Sequence, residues 1–259
     1  MIADLRIASL IALCYYTGMN TLLALALLIQ DQSAEDAFKK LEDAVENAHS
    51  VAMRFSLDGT VTRGNEKIKV TAKGTLLLKG SSLVSISRTV QLGDDQEPAE
   101  MAVKFTSDGT QMSFDFPELK HNANLDKKTL SVARFKSSLV RVGASTTVGF
   151  IGTYDPSKKE GGVLSKEAIL VSDLKEGAKS NHGKTLTYTL RYVEPKTAGD
   201  PDKPFNVVLE YDPLSWKILS RVVTYKGEAG EQRIQETYQD FTLNSDIPDE
   251  KFKLPHDKK

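Results

Sequence analysis

Histidine, cysteine and carboxylate side chains are the residues whose spacing would reveal a metal or catalytic centre, and in this sequence they are scattered. The four histidines have no partner at the HxxxH or HExxH spacing of zinc sites. The single cysteine, Cys14, excludes an internal disulfide and a CxxC motif. We therefore expect no metal ion and no cofactor.

Three fragments resemble catalytic or phosphate-binding motifs, but each lacks a defining feature. Gly183-Lys184-Thr185 ends like a phosphate-binding loop, yet Ala178 stands where that loop needs glycine, and a strand follows where the phosphate needs a helix. Gly143-Ala144-Ser145 lacks the closing glycine of a nucleophile elbow. Asp94-Asp95 lies in a polar, turn-like stretch, where carboxylates stay solvated. We expect no enzymatic activity.

The clearest pattern is apolar side chains that alternate with polar neighbours along short runs of sequence. Such alternation places one set of side chains on a single face of a sheet. This face is either plain core or, with helices over it, the lining of a cavity for acyl chains, whose burial yields about 0.8 kcal/mol per CH₂ group. The predicted lining residues are Leu76, Leu78, Val84, Ile86, Val103, Phe105, Met112, Phe114, Phe135 and Leu139.

A lipid in such a cavity would normally be oriented by a polar or charged group that binds its head. Arg54 and Arg88 are the nearby candidates. Both remain predictions at this point, because alternation alone does not show that the face is hollow.

Composition limits what the protein can be. Its 259 residues are 40% hydrophobic and 27% charged, which is enough to bury a core and excludes disorder throughout. The net charge of -1 leaves no basic surplus, so we expect no nucleic-acid partner. We expect a monomer.

The N-terminal segment reads as a targeting or anchoring sequence. Residues 7–29 carry no charge, and 23 apolar or small residues suffice to span a membrane. Ala24-Leu25-Ala26 is also a passable signal-peptide cleavage site. We expect residues 1–33 to be a signal peptide or an N-terminal membrane anchor, with a buried helix as the third alternative. Both leading alternatives place residues 34–259 outside the cytoplasm, in the periplasm or an equivalent compartment.

Two helices are predicted to cover the sheet. Ser33 is a natural N-cap before an amphipathic segment over residues 34–55, which carries an apolar stripe that ends at Ala48 and Ala52. In the middle of the chain, residues 126–142 form a helical insert, and Gly143 stands where a helix C-cap would. The apolar steps of this insert fall at Val132, Phe135, Leu139 and Val142.

The remaining runs are short, rich in β-branched and aromatic residues, and separated by polar and glycine residues. Asp58-Gly59 and Asp108-Gly109 indicate hairpins, because both residue types tolerate positive φ. The predicted fold class is α+β. It is a single curled antiparallel sheet, an unclosed β-barrel of about nine to eleven strands, with the N-terminal helix and the mid-chain insert as a lid.

Four stretches of the sequence resemble the superfamily of periplasmic lipoprotein carriers and lipoprotein localisation factors (LolA-like proteins). They are the helix that leads into a strand, residues 34–55; Gly74 to Lys79; Ser107 to Thr110; and the ending, from Tyr211-Asp212-Pro213 through Ser220-Arg221 to Asp246–Phe252. The resemblance implies a half-barrel that binds lipid or lipoprotein acyl chains and acts in lipoprotein sorting or transport, with membrane-bound proteins as further partners.

One position departs from the family pattern. The carriers have Arg-Pro after the lysine of the second stretch, and that arginine acts inside the acyl-binding cavity; here Gly80-Ser81 follows Lys79. No residue inherits that role by position. The alternative function is therefore a membrane-anchored envelope sensor or protein-interaction domain on the same fold.

Overall fold

Eleven antiparallel strands account for most of the computed structural model, which describes residues 33–63, 66–93, 99–116, 119–151, 154, 155, 157, 158, 161–178, 180, 182–193, 204–227 and 230–255. The expectation for residues 1–33 falls outside this range except for Ser33. The strands are β1 (Ser50–Arg63), β2 (Glu66–Lys79), β3 (Leu83–Leu92), β4 (Ala99–Asp108), β5 (Gln111–Phe116), β6 (Leu119–Asn124), β7 (Ile169–Glu176), β8 (Lys184–Tyr192), β9 (Phe205–Asp212), β10 (Lys217–Gly227) and β11 (Gly230–Leu243).

These strands form one sheet in the order β6-β5-β4-β3-β2-β1-β11-β10-β9-β8-β7. The sheet does not close, since β6 and β7 remain at its two edges. Each half is a meander, and the pairing of β1 with β11 joins them. The predicted fold class is therefore confirmed.

Three helices lie on one face of the sheet: α1 (Ala34–Asn47), α2 (Val132–Val142) and α3 (Ala144–Ile151). Two short 3-10 turns complete the regular structure, Lys166–Ala168 and Asp249–Phe252. The Oγ of Ser33 caps α1 by accepting the Asp36 N–H at 3.1 Å. Gly143 ends α2 with φ +96°, and its N–H donates to Leu139 O at 3.1 Å. Both predicted caps are confirmed.

Helix α1 is shorter than the predicted span of residues 34–55. It ends at Asn47, and β1 begins at Ser50. From there the buried side chains alternate, and Ala52 belongs to the strand. The physical reason is that β1 pairs along its length with both β2 and β11, so tertiary backbone pairing overrides the helical spacing of this segment.

The hairpin predicted at Asp58-Gly59 was wrong, because β1 continues through these two residues. A Cβ at Gly59 would lie 2.9 Å from the backbone oxygen of Arg233, so glycine serves close strand packing there. The second signal is confirmed: Asp108-Gly109 turns β4 into β5, with Gly109 at φ +97°.

The sheet has an inner face, which carries the helices, and a polar outer face. Side chains of both sheet halves and all three helices meet in one apolar core on the inner face. Within the described ranges, no helix has the length and apolarity of a membrane span. The same residues hold no group of three or more His, Cys, Asp or Glu side chains placed to bind a metal.

Candidate functional site

The ten predicted lining residues all lie in the core of the inner face. Eight come from β2 to β5 and two, Phe135 and Leu139, come from α2. Their exposed fractions are 0–2%, so they pack against one another and against the helices. The rings of Phe105 and Phe135 lie 6.1 Å apart, and those of Phe105 and Phe114 lie 5.0 Å apart. The structure thus brings the ten residues together where the predicted lid packs on the sheet.

A second apolar surface continues the inner face beyond this core, toward the end of the sheet where β1 connects to β2. We call it the hairpin-end strip. The exposed fraction rises along it from 4–8% at Ala72, Val90 and Leu57 to 36% at Met101 and 39% at Leu92. Strand register joins the outer part to the inner one, since Met101 pairs with Val90. The strip consists of Leu57, Val70, Ala72, Val90, Leu92, Met101 and Ile234.

Arg88 lies at the boundary between the core and the strip. It follows Ile86 and precedes Val90 on the inward positions of β3, where alternation would otherwise place an apolar residue. Its Nη1 donates to the backbone oxygen of Ser145 at 2.8 Å and to Ser145 Oγ at 3.4 Å. Burial lowers the pKa of Arg88, and the charge of Glu236 partly offsets this. A half-buried cation thus holds the first turn of α3.

Glu236 holds the same turn from the other side. It projects inward from β11 with an exposed fraction of 3%. Its two carboxylate oxygens accept the backbone N–H groups of Ala144 at 3.0 Å and of Ser145 at 2.9 Å, and the Tyr238 hydroxyl donates to Oε2. Burial raises the pKa of Glu236, against the charge of Arg221 and these hydrogen bonds. The carboxylate caps α3 and complements its dipole.

Arg221 completes this buried group from β10. It is fully buried, and its Nη2 donates to Val140 O at the C-terminal end of α2. Across the sheet it pairs in register with Glu236. Gly143 lies between the helices at this point, and a Cβ there would be 2.8 Å from Arg221 Nη1 and would overlap Glu236 Oε2. The joint between α2 and α3 therefore rests on charged side chains.

Helix α2 is held by a different set of polar contacts. Arg141 pairs with Glu42 of α1, with 2.7 Å between Nε and Oε1. Lys166 reaches the same Glu42 at 3.1 Å and Glu46 at 2.9 Å. The buried ammonium group of Lys136 donates to the backbone oxygens of Glu46 and Ala48 and so caps the end of α1. These contacts fix α2 to α1, whereas α3 is held by Arg88 and Glu236 of the sheet, by its own apolar side and by the Thr147 hydroxyl, which lies 3.0 Å from that of Ser138 in α2.

The other head-group candidate, Arg54, is on the outer face. It is exposed, and its Nε donates to Asp240 Oδ2 at 2.6 Å. With Lys73 and Gln239 it lines a shallow groove of about 440 Å³. The structure does not bring Arg54 near the ten predicted lining residues or near Arg88.

Glu236, Arg221 and Ser145 were not among the predicted site residues. Alternation was the signal that could have identified Glu236, because Ile234, Glu236 and Tyr238 occupy successive inward positions of one strand. A charged residue in such a row predicts a buried partner. The partner is the start of α3, about 90 residues earlier in the chain, which no local pattern connects to β11.

No protein-family model matches the chain, and no curated protein matches it. LprF from Mycobacterium bovis is a similar solved structure, with 8% identity, a TM-score of 0.37, and coverage of 83% of this chain and 95% of that one. A LolA superfamily protein from Nitrosomonas europaea has 11% identity, a TM-score of 0.33 and coverage of 86% and 98%. An outer membrane lipoprotein-sorting protein domain from Vibrio parahaemolyticus has 10% identity, a TM-score of 0.27 and coverage of 86% and 96%. The second of these structures is named as a member of the superfamily that the sequence resembles.

Proposed function

We propose that this protein binds the acyl chains of lipids or lipoproteins on the inner face of its sheet, outside the cytoplasm, and serves in their sorting or transport. The observation that carries the proposal is the hairpin-end strip. Seven apolar side chains form a continuous surface on the inner face, and its outer residues Leu92 and Met101 are 39% and 36% exposed. Each CH₂ group buried there would contribute about 0.8 kcal/mol.

The ten predicted lining residues extend this proposed site. Eight of them continue the inner face from Arg88 over β2 to β5, and Phe135 and Leu139 cover that face from α2. Helix α3 has only eight residues, and its first turn is held by side chains of the sheet. In the proposed mechanism an acyl chain first occupies the strip, and displacement of α3 exposes part of the core face to a longer or second chain.

The test uses substitutions on opposite faces of the same two strands. In the full chain, Leu92→Glu with Met101→Glu places two charges in the strip at positions already exposed to solvent. The matched control, Gln91→Glu with Ala102→Glu, alters their exposed outward neighbours. Each variant is purified from the native envelope and weighed by native mass spectrometry.

We expect bound lipid on the wild-type protein and on the outward variant, and none on the inward variant. Lipid on all three proteins, or on none of them, would contradict the proposal. The same spectra give the mature N-terminus. A start near residues 27–34 supports a soluble carrier, whereas an empty chain that still starts at Met1 would favour an anchored sensor.

A further inference from the structure

The buried charges around the start of α3 do not balance. Arg88 and Arg221 project from the sheet toward this turn, and Glu236 is the carboxylate whose charge acts on both. Both oxygens of Glu236 are already engaged by α3, and Tyr238 adds a third hydrogen bond. Among the described residues, two cations face one anion at this turn, which leaves a surplus positive charge. Such a surplus is costly unless an anion compensates it.

Arg88 also retains unused capacity to bind an anion. Its Nη1 donates to the neutral oxygens of Ser145. Its Nε is buried and has no hydrogen-bond partner among the described residues. A guanidinium group presents five N–H donors in a planar fork, which matches a carboxylate or a phosphate. Nε and Nη1 of Arg221 are also without a partner, but Arg221 is fully buried, so Arg88 is the one of the two guanidinium groups that a ligand could reach.

The space beside Arg88 is open on its α3 side. A Cβ added at Gly149 would have one neighbour within 4 Å, the Nη1 of Arg88 at 3.7 Å. On the sheet side, Val90 and Ala72 begin the hairpin-end strip one inward position further along β3 and β2. From Arg88 to Leu92 the strand advances four residues, or about 13 Å of apolar surface.

We propose that the ligand of the hairpin-end strip is an anionic amphiphile, with its carboxylate or phosphate group on Arg88 and its chain along the strip. This inference rests on the proposed function and names its ligand class. The acidic group supplies the missing negative charge and accepts N–H groups of the Arg88 guanidinium. The apolar chain covers the partly exposed residues of the strip.

The test compares three probes that have the same twelve-carbon chain: dodecanoic acid, dodecyl phosphate and dodecan-1-ol. Binding to the delipidated full chain is measured by calorimetry below the micelle concentration of each anion and below the solubility limit of dodecan-1-ol. We expect the two anions to bind at least about tenfold more tightly than the alcohol, as charge-assisted hydrogen bonds exceed neutral ones. The tighter of the two anions distinguishes a carboxylate from a phosphate ligand.

Two variants separate recognition from structure. Arg88→Gln should lower the affinity for the two anions about tenfold or more and change the affinity for dodecan-1-ol by no more than about twofold. Gly149→Leu keeps Arg88 and favours the helix, but its side chain fills the space beside the guanidinium. It should therefore also lower the affinity for the anions. Arg54→Gln on the outer face is the control and should change nothing.

Equal affinity of the wild-type protein for the alcohol and the anions would overturn the inference and leave acyl binding intact. Equal weakening of all three probes by Arg88→Gln would also overturn it, because Arg88 would then act only by positioning α3. Absence of binding by every probe would overturn the proposed function and this inference with it.

Discussion

Ser145 is the residue through which opposite charges of the sheet position the lid helix. Its N–H is held by Glu236 from β11, and its carbonyl oxygen and hydroxyl group are held by Arg88 from β3. Apolar packing alone is non-directional, so it would not define the position of an eight-residue helix on an apolar face. Buried charged groups are costly to leave unpaired, and they therefore specify where this helix must begin.

Replacement of Glu236 by glutamine tests this role at the residue scale. Because both carboxylate oxygens accept N–H groups of α3, an amide NH₂ in place of either oxygen would face a donor. We expect Glu236→Gln to lower the free energy of unfolding by about 3–5 kcal/mol. Urea denaturation measures the loss. Glu231→Gln, an exposed position of the same strand, should stay within about 0.5 kcal/mol, and equal effects of the two would contradict the prediction.

At the scale of elements, the joint between α2 and α3 is a single glycine in a backbone conformation that other residues rarely adopt. Gly143 has φ +96° and ψ 170°. On one side of this joint α2 is tied to α1 by Arg141 and Lys136, and on the other side α3 is tied to the sheet. The two helices are also joined to each other, since the hydroxyl oxygens of Ser138 and Thr147 lie 3.0 Å apart. Displacement of α3 would therefore break this contact as well as those of α3 with the sheet.

Gly143→Ala should destabilise the fold through both backbone strain and side-chain overlap. The new Cβ would overlap Glu236 Oε2 and approach Arg221 Nη1 to 2.8 Å. We expect a loss of about 4 kcal/mol. The matched control is Gly230→Ala. Gly230 also has a positive φ, +113°, but nothing lies within 4 Å of an added Cβ. This variant therefore measures the backbone strain alone, about 1–3 kcal/mol. Similar losses in both variants would show that no overlap occurs at Gly143.

At the scale of the whole molecule, the first and last strands of the chain lie side by side in the centre of the sheet. Strand β1 pairs with β11. Five further strands extend from β1 to the edge strand β6, and four extend from β11 to the edge strand β7. Neither half can complete its inner face without the other, because the core includes residues of both. The two halves should therefore unfold together, while the edge strands can also open locally.

Hydrogen exchange checks this expectation. Amides of β1 and β11 should exchange only by global unfolding, since each strand has a partner on both sides. Amides of β6 and β7, each with one partner strand, should exchange by local opening and much faster. Mass-spectrometric exchange on the full chain measures both. Edge strands that are protected as well as the centre would indicate that another element or chain covers them.

The sequence determined the class of fold, because that class depends on local periodicity. Short runs rich in β-branched and aromatic residues predicted strands, and the caps Ser33 and Gly143 predicted helix ends, since each of these signals is carried by residues close together in the chain. Local signals failed where a distant strand decided the outcome. Pairing with β2 and β11 ended α1 at Asn47 and kept β1 straight through Asp58-Gly59.

The tertiary structure alone decided the candidate site. Periodicity placed Arg88 on the inner face but could not say that Ser145 would meet it, or that Glu236 would meet the same turn from three strands away. It also could not divide one apolar face into a packed core and a partly exposed strip. Both outcomes depend on where α3 crosses the sheet, and that position follows from contacts between residues that are far apart in sequence.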